Sequence, residues 1–118
     1  MRNVDLKKRS GSTVKIKINV FGLCEGRHDI EHVNKYIFEK IENVFDFETM
    51  NEIIYEKLKG VSDLHLYVTG LTPALTTVIN YCYLNRVNLT LYHFNRDTGE
   101  YVSQVMYNDF DLLKEGGY

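Results

Sequence analysis

No stretch of the chain approaches the ~20 consecutive apolar residues of a membrane-spanning helix, so membrane insertion is not expected. Cysteine is scarce: Cys24 and Cys82 make no zinc-ligand pattern and read as reduced thiols of a cytoplasmic protein. The start, MRNVDLKKRSGS, is polar and basic without an apolar core, which reads as a flexible lead-in rather than a secretory signal. There is no excess of positive charge. A net charge of -2 argues against a protein that coats long nucleic acid, yet leaves room for a small anion in a local pocket. No metal constellation is visible. His28 and His32 are four apart, but a helix beginning at Ile30 would contain only His32. No Ser-His-Asp or Cys-His set can be argued, and Gly22–Gly26 lacks the lysine and spacing of a Walker phosphate loop. No internal repeat or low-complexity segment interrupts the chain.

What is present is enough apolar character, 44% of 118 residues, for one domain with a real core. Val14, Ile16, Ile18 and Val20 alternate with Lys15, Lys17 and Asn19, which predicts a first strand ending near Phe21. Asp29 can cap a helix from Ile30, with Ile30, Val33, Ile37 and Ile41 on one face. Asp46 caps a second helix with Phe47, Met50, Ile54 and Leu58 inward and Gly60 as its stop; an additional short strand near Val44–Phe47 is held open. Leu64, Leu66 and Val68 alternate as a strand. Gly70 then allows a sharp turn, Thr72 serves as N-cap and Pro73 suits the first helical position. Val87–Phe94 is a third alternating strand. Asn95–Gly99 predicts a hairpin with Gly99 left-handed, and Glu100–Tyr107 returns antiparallel. The order β-α-α-β-α-β-β predicts a small α/β domain: a Rossmann-like parallel sheet ending in an antiparallel hairpin. Its expected bounds are 14–108, between a lead-in (1–13) and a C-terminal tail (109–118).

If the strands run parallel, the loop at Gly22–Asp29 and the turn at Thr69–Thr72 share one edge of the sheet. Ligands of open α/β sheets bind at that edge. Thr69, Gly70, Leu71 and Thr72 offer hydroxyl and backbone donors to a phosphate; the same residues also make an ordinary capped β–α connection. Arg27 supplies a cation and His28 a proton-transfer group beside it, with Gly22 and Glu25 in the same loop. His93 ends a strand at the same edge, followed by Arg96 in the turn. Tyr67, Tyr92 and Tyr101 suit base stacking, and equally suit packing within a sheet.

The run Leu66-Tyr67-Val68-Thr69-Gly70-Leu71-Thr72-Pro73 resembles the strand, Thr-Gly-Gly-Thr-Lys-type turn and helix of CARF domains, the CRISPR-associated Rossmann folds. The resemblance covers roughly the second half of the chain. It departs from the pattern where Leu71 replaces the second glycine and Pro73 the lysine, so phosphate charge must come from elsewhere. The resemblance implies a homodimer binding a cyclic oligoadenylate, or another small nucleotide, across its two-fold axis in type III CRISPR signalling. It implies no cofactor. It also implies that some members cleave the ring as metal-independent ring nucleases, the ligand's own 2′-OH displacing the 5′-oxygen. On that reading Arg27 and His28 are the catalytic candidates. Gly22, Glu25, Thr69, Gly70, Leu71, Thr72, His93 and Arg96 are the ligand-binding ones. Two rivals stand beside it: a nucleotide sensor or sequestering protein without turnover, and an interaction protein with no ligand.

Overall fold

The computed structural model describes residues 4–9, 12–16, 18–26, 30–31 and 33–110. In chain order they form β1 (Val4–Arg9), β2 (Ser12–Ile16), β3 (Asn19–Cys24), β4 (Tyr36–Phe38), α1 (Phe47–Leu58), β5 (Asp63–Tyr67), α2 (Thr72–Leu84), β6 (Asn88–Asn95) and β7 (Glu100–Tyr107). β1 and β2 pair antiparallel as a two-stranded sheet. The other five make one mixed sheet in the order β4-β3-β5-β6-β7. Four of its strands run parallel, and β7 runs antiparallel beside β6.

Alternation along β5 and β6 decides which face is covered. Leu64, Leu66, Leu89 and Leu91 are buried in one cluster with Met50, Ile54 and Leu58 of α1 and Ala74, Val78 and Cys82 of α2. Both helices therefore cover the same face. Each fully buried leucine contributes about 1.5–3 kcal/mol. Burial pushes the Cys82 thiol up to about 12, so it stays protonated and serves only as packing. His65, Tyr67, Thr90 and Tyr92 occupy the opposite face. Among the described residues no helix is long and apolar enough to cross a membrane.

Several local expectations are corrected. The alternation over 14–20 is not one strand: Ser12–Ile16 pairs with Val4–Arg9, within the stretch expected as a lead-in, and the sheet strand starts at Asn19. The expected helix from Ile30 is absent from the described residues there; Tyr36–Phe38 is a strand parallel to β3 instead. Its spacing fitted a helix, but Tyr-Ile-Phe favours a strand, and β3 needed a partner on its second edge. No strand forms near Val44–Phe47. Asp46 caps α1 as expected, its carboxylate accepting the Thr49 N–H at 3.2 Å and the Thr49 hydroxyl at 2.8 Å. Met50, Ile54 and Leu58 face inward, but Phe47 is 46% exposed. Phe110, assigned to the tail, is buried against Tyr83 and Tyr107.

The hairpin between β6 and β7 closes at Asn95 opposite Glu100. The Asn95 side chain accepts the Asp97 N–H at 2.9 Å, and the Asn95 carbonyl accepts the Gly99 N–H at 2.8 Å. Gly99 is left-handed, with φ +75°. A β-branched residue is strained there, so Gly99→Val should lower stability by ~1 kcal/mol or more. Urea unfolding checks this; an unchanged midpoint would count against the turn.

Candidate functional site

The strand order reverses at β3, with β4 on one side and β5 on the other. Open α/β sheets form ligand crevices at such points, outside the carboxyl ends of the strands. A cavity of about 550 Å³ lies at this edge, lined by Gly26, Val68, Thr69, Gly70, His93, Phe94 and Arg96. The segments after β3 and β5 and the end of β6 thus converge, as parallel strands require.

The turn after β5 differs in detail from the sequence reading. Gly70 has φ +88°, and Leu71 is also left-handed at φ 60°, ψ 72°. Leu71, not Thr72, is the N-cap of α2, and no side chain caps the helix. The chain has already turned before Thr72, which takes helical geometry as the first residue of α2. The Leu71 carbonyl accepts the N–H groups of Ala74 and Leu75 at 3.0 and 3.1 Å. A non-glycine residue in this conformation is uncommon and costs on the order of 1 kcal/mol. The surrounding core repays it, since Leu71 packs against the buried cluster.

Thr69 is 4% exposed. Its Oγ1 accepts the Cys24 N–H at 3.1 Å and donates to the Cys24 carbonyl at 3.4 Å. Regular pairing of β3 with β5 ends at Gly22 and Tyr67, so this hydroxyl extends the ladder past its last rung. It ties the two lips of the crevice together. What Thr69 presents to the cavity is therefore shape and backbone.

Gly22 lies inside β3, buried, with its N–H donated to the Lys35 carbonyl at 2.8 Å. The loop begins at Glu25 rather than at Gly22. Glu25 lines a separate cleft with Lys35, Tyr36 and Lys57. Leu71 and Thr72 shape the turn without lining the cavity. Arg27 and His28, like Asp29 and His32, lie outside the described residues. His93 and Arg96 do reach the cavity. The His93 Nε2 is 2.8 Å from the Gln104 side-chain oxygen, which orients the ring from β7. Arg96 is exposed in the hairpin turn.

Of the other lining residues, Gly26 lies in the loop expected at this edge and Val68 in the strand that leads to the Gly70 turn, while Phe94 is one that no motif marked. Phe94 follows His93 on β6 and points to the other side of the strand; only the cavity's wrap around the strand end brings both in. On the face away from the helices, Tyr67 stacks on Tyr92 with ring centres 4.6 Å apart, and Tyr101 meets Tyr67 edge-on at 4.9 Å. His65 Nδ1 lies 2.7 Å from the Tyr92 hydroxyl. Burial raises the pKa of Tyr92 and Tyr101. Asp63, beside His65, has its carboxyl raised by burial and drawn partly back by the imidazole. The tyrosines expected either to stack on bases or to pack thus pack on one another. No protein-family model, curated protein or solved structure matches the chain.

Proposed function

We propose that the chain is a Rossmann-like, CARF-like domain whose crevice binds the phosphodiester of a cyclic oligoadenylate in the cytoplasm, with two copies closing on one symmetric ring. The observation that carries this reading is the convergence of Gly26, Gly70, His93 and Arg96 on one cavity at the carboxyl edge of the sheet, where the strand order reverses. A mobile phosphate-bearing ligand needs a cation, donors and room. Arg96 supplies the cation, and a planar guanidinium grips two phosphoryl oxygens at once. Gly70, in the turn that leads into the positive end of α2, adds its backbone to the same cavity.

Binding is the part of this reading that the described residues bear on. The Thr69 hydroxyl is engaged with Cys24, and His93 holds Gln104. Cleavage would need the ribose 2′-OH in line with the 5′-oxygen, and a group to take its proton as the 2′-oxygen bonds to phosphorus and the 5′-oxygen leaves. His28 and Arg27 are the sequence candidates for that work.

The test is incubation with cyclic tri-, tetra- and hexa-adenylate, read by calorimetry for binding and by chromatography for products. Arg96→Ala should weaken binding by about 10-fold to 100-fold with the fold intact, the loss of one charge-assisted contact. Arg27→Ala, measured beside it, tests the β3 lip. If Arg96→Ala binds like wild type while Arg27→Ala does not, the cation belongs to that lip. If the wild-type chain binds no ring, the reading falls.

A further inference from the structure

We propose that Phe94 is a stacking platform for a purine base, in a nucleotide whose phosphate lies toward Arg96; this rests on the phosphate-binding reading of the same crevice. Phe94 is 49% exposed, and it lines the cavity together with Arg96. An apolar ring so exposed beside a cation, in a cavity that also holds His93 and Thr69, matches the two halves of a nucleotide. Its position is not loose. Phe94 is paired across the hairpin with Tyr101, their ring centres 5.3 Å apart. Tyr101 meets Tyr67 at 4.9 Å, Tyr67 stacks on Tyr92 at 4.6 Å, and Tyr92 is held by His65. Rings from three adjacent strands therefore form one braced series, and Phe94 is the member that reaches the crevice.

Bracing matters because a ring held in one orientation loses little freedom when a base settles on it. Stacking is tolerant of base identity but scales with overlap, so a two-ring purine gains more than a pyrimidine. Arg96 lies two residues beyond Phe94, at the turn where β6 leaves the sheet. A base on Phe94 and a phosphate on Arg96 then share one short stretch of chain.

The chain contains no tryptophan, so Phe94→Trp places a single indole reporter at the site. The probes are AMP, CMP and ribose 5-phosphate, which carries the phosphate without a base. Expected is saturable quenching by AMP, weaker quenching by CMP and none by ribose 5-phosphate. In the otherwise wild-type chain, Phe94→Leu should lower AMP affinity about 10-fold to 100-fold and leave ribose 5-phosphate affinity unchanged, whereas Arg96→Ala should lower both. Phe94→Tyr should retain most of the AMP affinity, which separates loss of the ring from loss of the fold. Equal wild-type affinity for AMP and ribose 5-phosphate, or an unchanged AMP affinity in Phe94→Leu, overturns the stacking role and leaves the phosphate site standing. Failure of AMP, ribose 5-phosphate and every cyclic oligoadenylate to bind overturns both.

Discussion

Replacing Thr69 by valine should cost the fold about 2–4 kcal/mol, more than a threonine at the end of a strand would ordinarily carry. The shape of the side chain is kept and only the hydroxyl is lost. That hydroxyl accepts the Cys24 N–H and donates to the Cys24 carbonyl, in a site closed to water. Removing it withdraws an acceptor and a donor from buried backbone groups, and such withdrawal costs more than a satisfied hydrogen bond contributes. Thr69→Ser keeps the oxygen and should lose less than half as much. The measurement is guanidinium unfolding, with the midpoint falling at constant m. Because the same bonds join the two lips of the crevice, Thr69→Val should also weaken the proposed ring binding under conditions where the variant is folded. A stability equal to wild type would mean that the bridge between β3 and the segment after β5 is dispensable.

Gly22→Val is the second large effect, expected at about 1–3 kcal/mol or beyond. A Cβ at Gly22 would overlap the Tyr36 ring and come within 3.2 Å of Val33 Cγ1. Both neighbours belong to the segment that returns to form β4, and Gly22 pairs with Tyr36 in that ladder. The glycine is there to let an aromatic ring lie against the strand, which is the use glycine often has inside sheets. Tyr36→Ala alone should be destabilising, but combining it with Gly22→Val should recover part of the loss. A double-mutant cycle with no coupling between the two positions would show that the ring does not sit where this account needs it.

The elements most legible in the sequence are those whose signals are local. Asp46 announces α1 because capping needs only the first turn, and the spacing of Met50, Ile54 and Leu58 follows from 3.6 residues per turn. β5, β6 and the hairpin at Asn95–Gly99 are likewise read from alternation and from a glycine that alone tolerates the final turn geometry. The strand-turn-helix from Asp63 to Leu84 was legible as a unit, as was the meeting of the Thr69–Gly70 turn with His93 and Arg96, because parallel strands put their carboxyl ends on one edge.

Tertiary structure alone decided the rest. Residues 36–38 have helical neighbours in spacing, yet they form a strand because β3 offers an open edge and Gly22 a bare surface for Tyr36. Unbroken alternation over 14–20 gave no sign of where one strand stops, since a break between two sheets changes partners without changing period. Thr72 looked like the cap because its residue type is right; Leu71 took the place because two successive left-handed residues had already turned the chain. Thr69 looked like a phosphate donor because nothing local reveals that its hydroxyl is used by Cys24, 45 positions earlier. The sequence by itself determined the period of each element and the edge on which the loops gather, because both follow from neighbouring residues and strand direction. Which hydroxyl stays available, which ring reaches the crevice and which edge strand completes the sheet depend on partners distant in the chain, and only packing brings those together.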